Sequence, residues 1–142
     1  MKLRDLVGKI DFSLVQGDLN IEISDIFYDS RKCIKNSVFI CLKGYYADGH
    51  NFIASALAKG ASAVVISDNV QVDESITVIR VKDTREALAF MSAEFFGNPA
   101  SQLKTVAITG TKGKTTVSCM IRTVLQKAGI KTGVIGTLGV II

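Results

Sequence analysis

Apolar and polar positions follow two rhythms along the chain, and the change from one to the other predicts its elements. Glu22–Tyr28 alternates polar and apolar residues and reads as a strand. Ser37–Leu42 (SVFICL), Ala61–Ile66 (ASAVVI) and Ile76–Val81 are short apolar runs rich in β-branched residues, the pattern of buried strands. Between them the spacing lengthens. Leu3–Val7 reads as a short helix, and Asn51–Lys59 has apolar residues at helical spacing until Gly60 stops it. Asp83 begins a D-x-x-E helix start, after which Leu88, Met91 and Phe95 recur on one face. Gly97-Asn98-Pro99 ends that helix, and Pro99 is the only proline in the chain.

A second group of elements follows. Lys104–Thr109 reads as a strand and Gly110–Gly113 as a glycine-rich turn. Residues 115–128 then form an amphipathic helix through Val117, Met120, Ile121, Val124, Leu125 and Ala128, with Gly129 as its cap. Lys131–Ile135 reads as another strand. Strand, helix and strand at this spacing predict a βαβ unit with a parallel pair. The expected class is therefore α/β, with one domain over 1–98, a linker at 97–102 and the start of a second domain over 99–142. Val134–Ile142 is apolar but for Thr137, so the second unit reads as interrupted, since termini are usually polar and frayed.

Composition narrows the classes. At 142 residues and 48% hydrophobic, the chain has enough apolar side chains for a core and is neither disordered nor collagenous. No apolar run approaches the roughly 20 residues of a membrane span, and Met1–Asp5 leads into no secretory signal. A cytoplasmic location with no membrane partner is expected. Cys33, Cys41 and Cys119 form no C-x-x-C pair, and His50 is the only histidine, which argues against zinc.

Charge separates the two halves. The net charge is +4, but residues 1–94 carry −2 and residues 95–142 carry +6, with no Asp or Glu after Glu94. The six later cations form no run and have no interleaved aromatics, so nucleic acid is not the expected partner. A phosphate-bearing ligand suits them better.

Gly110-Thr111-Lys112-Gly113-Lys114-Thr115-Thr116 supplies the chemistry for it, placed between a predicted strand and a predicted helix. Glycines let backbone N–H groups turn toward phosphate oxygens, and a helix N-terminus adds partial positive charge. Lys114 is placed to reach the β- and γ-phosphates, and Thr115 to ligate Mg²⁺. The spacing is shorter than the full G-x-x-x-x-G-K-[ST] pattern, whose first glycine would fall on Ile108.

The form G-T-x-G-K-T-T resembles the nucleotide loop of the Mur ligases, ATP-dependent enzymes of peptidoglycan precursor synthesis. The first unit resembles the same family through Asp29-Ser30-Arg31, Ser37–Ile40, Lys43–Phe52 and Ala56–Ala61. That order is similar to the UDP-sugar-binding domain of the MurE and MurF types, and Gly110-Thr111 with Gly133–Thr137 favours MurE. Lys112 departs from the Asn common there and adds a charge beside the triphosphate.

The resemblance implies a Rossmann-like UDP-binding domain followed by the opening βαβ of a P-loop ATPase domain. It implies ATP and Mg²⁺, with Gly110, Thr111, Lys112, Gly113, Lys114, Thr115 and Thr116 at the nucleotide, Lys114 catalytic and Thr115 at the metal. It puts the uridine diphosphate on Tyr28, Ser30, Tyr45, Tyr46 and Ala47. The implied reaction joins meso-diaminopimelate or L-lysine to UDP-N-acetylmuramoyl-L-Ala-D-Glu through an acyl phosphate. The remainder of a ligase chain is an implied partner. This chain, without acidic residues after Glu94, is expected not to ligate alone. A UDP-sugar-peptide binding module, a MurF-type fragment and another P-loop enzyme are the competing readings.

Three details remain open at this level. Tyr45 and Tyr46 are either a uracil platform or ordinary loop aromatics. Asp29 and Arg31 either serve the substrate or pair with each other. His50, just before a helix, reads as a packing or capping residue.

Overall fold

The computed structural model describes all residues, Met1–Ile142. They divide into two units, Met1–Leu103 and Lys104–Ile142. The first unit is built on a mixed five-stranded sheet. Its strands are β1 (Phe12–Gln16), β2 (Ile26–Phe27), β3 (Ser37–Ile40), β4 (Ala61–Ile66) and β5 (Thr77–Val81), in the order β1-β5-β4-β3-β2. β2 to β5 run parallel, and β1 is antiparallel to β5.

The period-two pattern sends alternate side chains to opposite faces. Val38, Ile40, Val65 and Ile79 pack on one face with Leu3 and Leu6 of α1 (Leu3–Val7) and with Ala87 and Met91 of α3 (Thr84–Phe95). Phe39, Val64, Ile66 and Val78 pack on the other face with Ile53 and Ala56 of α2 (Ile53–Ala58). Burying such an aliphatic or aromatic side chain contributes roughly 1.5–3 kcal/mol, so these two layers carry most of the unit's stability. Asp83 caps α3, its Oδ1 accepting from the amides of Arg85 at 2.7 Å and Glu86 at 3.3 Å.

The α/β class and the alternation of strands and helices are as expected, but the arrangement is not that of a doubly wound dinucleotide fold. The parallel strands follow each other in sequence order, and no switch point divides them. The physical reason is the connections. Only α2 lies on a crossover between parallel strands, while α1 precedes the sheet, α3 follows it, and residues 67–76 join β4 to β5 without a helix. The expected strand Glu22–Tyr28 shrinks to Ile26–Phe27, because Glu22 and Ile23 pair with the start of the chain instead. Lys2 and Glu22 form an antiparallel bridge, and Ile23 N donates to Met1 O at 2.7 Å. β1 was absent from the sequence expectation.

The second unit holds α4 (Lys114–Lys127), β6 (Val134–Gly136) and β7 (Gly139–Ile141). β6 and β7 form an antiparallel hairpin. The expected βαβ pairing is not made. Lys104–Thr109 joins no ladder, and the strand expected at Lys131–Ile135 lies at Val134–Gly136 in the hairpin. A tight hairpin satisfies backbone groups locally, whereas a parallel pair is stable only with both faces covered. No residue of this unit is buried, and the apolar face of α4 is open, with Met120 62% and Val124 67% exposed. No helix of either unit is long and apolar enough to cross a membrane.

Candidate functional site

In the first unit the chemistry gathers where the parallel strands end. β2 runs into Tyr28–Ser30, β3 into Lys43–Asp48, β4 into Ser67–Asp68 and β5 into Lys82–Arg85. The C-terminal edge of parallel strands is where open α/β sheets bind ligands. β2 and β3 are neighbours, with Phe27 opposite Phe39, so the two loops expected to contact uridine diphosphate emerge side by side.

On the first loop, Tyr28 is exposed and Ser30 is buried, and Ser30 Oγ makes no hydrogen bond within the chain. Ser30 opens a 3₁₀ turn over Ser30–Lys32 that Asp29 caps. Asp29 and Arg31 pair with each other. Arg31 Nε donates to Asp29 Oδ1 at 2.9 Å, and an Arg31 terminal nitrogen donates to Oδ2 at 2.8 Å. This side-chain hydrogen bonding, with the Arg31 amide, holds the Asp29 carboxyl down at about 2. The pair therefore shapes the loop, while Ser30 keeps a free hydroxyl.

On the second loop, Gly44 N donates to Ala47 O at 2.8 Å and closes a tight turn. Tyr45 and Tyr46 stand out from it, 94% and 96% exposed, and touch each other edge to face with centroids 5.1 Å apart. Ala47 is exposed beside them. Gly49 leaves the loop against the backbone of Leu42, where a Cβ would lie 2.7 Å from the Leu42 nitrogen. Only glycine fits there.

A network of charged and polar groups ties this loop to the scaffold. Asp48 Oδ1 accepts from the His50 amide at 3.0 Å and lies 2.6 Å from His50 Nδ1. His50 Nε2 accepts from the amides of Ser67 at 3.1 Å and Asp68 at 3.4 Å. An Nε2 that accepts must be unprotonated, so the ring is neutral and Nδ1–H donates to Asp48. Lys43 Nζ lies 2.8 Å and 2.7 Å from the two Asp68 carboxylate oxygens, and an Arg85 terminal nitrogen donates to Lys43 O at 2.7 Å. The Lys43 ammonium lowers the Asp68 pKa, and hydrogen bonds from His50 lower that of Asp48. Lys43–Asp68 is half exposed, and such pairs contribute about 0–1 kcal/mol. The His50 side chain is 5% exposed. Leaving a buried polar ring unpaired costs about 1–3 kcal/mol, so His50 is the stronger tie.

Asp48, His50 and Asp68 offer donor atoms within 4.8 Å of one another, close enough for a metal ion. Asp48 Oδ1, His50 Nε2 and both Asp68 oxygens are already engaged by His50, Ser67, Asp68 and Lys43, which makes the cluster a hydrogen-bonded clasp. His50 is thus a buried capping and linking residue. Lys43, Asp68 and Arg85 were not singled out in the sequence, because their partners lie 25 and 42 residues away.

In the second unit, Gly110 (φ +150°) and Gly113 (φ +78°) take conformations that L side chains rarely adopt, and Gly113 begins α4. The amides at the start of α4, with Lys112 and Lys114 beside them, make a positive loop with no acidic residue in the unit. Lys114 Nζ donates to Gly110 O at 2.6 Å. A groove of about 360 Å³ runs along α4 toward the hairpin, lined by Lys114, Thr115, Ser118 and Arg122 among others. Gly110, Thr111, Lys112, Gly113 and Thr116 do not line it. They stand exposed to solvent. Thr115 offers one hydroxyl for a cation. Mg²⁺ is usually held by one or two carboxylates together with phosphate oxygens, and this unit holds no carboxylate side chain.

Comparison with known proteins gives a consistent picture. Residues 22–96 match the Mur ligase family, catalytic domain. The chain is 45% identical over 138 residues to the UDP-N-acetylmuramoyl-L-alanyl-D-glutamate–2,6-diaminopimelate ligase of Clostridium perfringens, covering 97% of this chain and 28% of that protein. It is 44% identical over 140 residues to ligase 2 of the same kind from Clostridium acetobutylicum, covering 98% of this chain and 29% of that protein. Among solved structures, a diaminopimelate ligase with that same name matches at TM-score 0.74 and 25% identity over 100% of this chain and 28% of that one. MurF from Acinetobacter baumannii matches at TM-score 0.70 and 29% identity, over 89% of this chain and 27% of that one. The chain thus spans under a third of the length of these relatives.

Proposed function

The chain belongs to the Mur ligase family, and on that premise we propose that it is the substrate-binding portion of a ligase that adds diaminopimelate to UDP-N-acetylmuramoyl-L-Ala-D-Glu. The observation that carries the proposal is the rim of the first unit, where an unpartnered Ser30 hydroxyl and the exposed Tyr45–Tyr46 pair emerge from adjacent parallel strands. Ser30 hydrogen-bonds a uracil or phosphate oxygen, and one tyrosine stacks on the uracil ring. Tyr28 and Ala47 flank them. The amino acid is assigned from relatives at 40–45% identity that carry diaminopimelate in their names.

The second unit, in this reading, opens the ATP-binding domain. Gly110, Thr111, Lys112, Gly113, Lys114, Thr115 and Thr116 cradle the triphosphate. Support comes from the left-handed glycines, the start of α4 and two unpaired lysines with no opposing acid. The ligation itself runs through two displacements. A substrate carboxylate oxygen attacks the γ-phosphorus of ATP and ADP leaves. The amine nitrogen then attacks the acyl carbon and inorganic phosphate leaves. Lys114 neutralises charge gathering on the transferring phosphoryl group, and Thr115 offers its hydroxyl to Mg²⁺, which when bound offsets the charge between the phosphates. The carboxylates that complete the metal site, and the amino-acid site, belong to the remainder of the ligase. This chain alone therefore binds without ligating, in the cytoplasm, with no nucleic-acid or membrane partner.

The test is titration of UDP-N-acetylmuramoyl-L-Ala-D-Glu into the chain and its Ser30→Ala variant. The variant is expected to bind about tenfold more weakly, a loss of about 1.4 kcal/mol. Equal affinity in the two proteins overturns the assigned pocket.

A further inference from the structure

We propose that His50 is a positioning residue for the Tyr45–Tyr46 loop, a neutral, Nδ1-protonated clasp that fastens the loop's base to the end of β4. The inference rests on the reading of that loop as a uridine-diphosphate contact. Tyr45 and Tyr46 pack only on each other, so nothing at the tip fixes where the rings stand. Their position is set at the base. Lys43 and Asp48 bridge each other there, and Gly49 N donates to Leu42 O at 2.8 Å. Those bonds close the loop on itself and on β3's own continuation.

What holds it against the rest of the sheet is a different set. His50 joins Asp48 to the amides of Ser67 and Asp68, Lys43 joins the Asp68 carboxylate, and Arg85 joins the Lys43 carbonyl. Asp48, His50, Ser67, Asp68 and Lys43 make a closed circuit around the loop base. Its one buried side chain is His50. The ring is the only side chain of the circuit that both donates and accepts, donating from Nδ1 and accepting at Nε2. A side chain lacking either function breaks the circuit.

Nitrogen-15 NMR of the imidazole in the 142-residue chain tests this first. Protonated Nδ1 and unprotonated Nε2 are expected, and a ring protonated at Nε2 overturns the clasp. Variants test the consequence, with uridine 5′-diphosphate as the probe. His50→Ala is expected to lower its affinity about tenfold and to speed amide exchange at Gly44 and Gly49. His50→Gln, whose side-chain oxygen reaches the Nε2 position but which has no donor at the Nδ1 position, keeps one of the two arms and is expected to fall between His50→Ala and the original in both readouts. Lys43→Met removes only the exposed arm of the circuit, so it leaves the core intact, and faster exchange at Gly44 is expected there too. Unchanged exchange at Gly44 and Gly49 in both His50→Ala and Lys43→Met overturns the proposal. If the original chain does not bind uridine diphosphate, the reading of the loop falls, and the clasp stands or falls on the NMR and exchange results.

Discussion

Lys114 Nζ donates a 2.6 Å hydrogen bond to the carbonyl oxygen of Gly110, four residues earlier. The ammonium is folded across the loop that its own backbone forms. A phosphate oxygen in that loop offers the lysine a charged acceptor in place of a neutral one, and charge-assisted hydrogen bonds are roughly twice as strong. The exchange needs only a side-chain rotation.

Replacing Lys114 by Met removes this donor and leaves the loop glycines untouched. Binding of ATP by the chain, followed by calorimetry, is expected to weaken by at least about tenfold, the effect of losing one charged hydrogen bond of roughly 1.5–3 kcal/mol. Retained affinity removes Lys114 from the nucleotide site.

The Asp29–Arg31 pair predicts a pH effect. Arg31 holds the Asp29 carboxyl at about 2 in the folded chain, below its ordinary 3.8. A depressed carboxyl pKa contributes stability at pH above about 4, and that contribution is lost as the pH falls toward about 2. Carbon-13 NMR should show Asp29 titrating near its depressed value, and Arg31→Ala should return it toward the ordinary one. Because Arg31 is 86% exposed and the pair is screened by solvent on that side, the change in global stability is expected to be small.

Asp83→Ala strips the start of α3 of its cap, leaving the amides of Arg85 and Glu86 without the carboxylate. A loss of about 1 kcal/mol is expected in urea unfolding of the first unit. An unchanged midpoint contradicts the assigned role of the cap.

The cysteines divide by burial. Burial pushes the Cys41 thiol up to about 12, and Cys33 is raised for the same reason. Cys119, on α4, is only half-buried. Since the thiolate is the reactive form, iodoacetamide at neutral pH should label Cys119 well before the other two. Mass spectrometry of the labelled peptides decides the order.

How much of this was readable in the sequence depends on how local each cause is. β3, β4, α2 and α3 were legible because period-two or helical spacing and a capping Asp83 lie within each segment. β1 was not. Phe12–Gln16 is short, half-exposed and bulged between Leu14 and Gln16, so its alternation breaks within five residues. Lys104–Thr109 has the composition of a strand, but a strand exists only where a partner pairs with it, and composition does not supply the partner. At the rim, Asp29 and Arg31 stand two residues apart, so their pairing was one of the two roles the sequence allowed. The clasp was not legible, because His50 meets Ser67 across 17 residues and Lys43 meets Asp68 across 25. Such contacts follow from the parallel register of β3 and β4, which no local pattern specifies.

In the proposed function, the first unit holds a uridine-diphosphate sugar peptide on the rim made by Ser30 and the Tyr45–Tyr46 loop. The most direct measurement is incubation of the 142-residue chain with UDP-N-acetylmuramoyl-L-Ala-D-Glu, ATP, Mg²⁺ and diaminopimelate, following bound ligand and ligated product together. Saturable binding that free uridine diphosphate displaces is expected, with no tripeptide product. Absence of binding, or formation of the tripeptide by this chain alone, would contradict the proposed function.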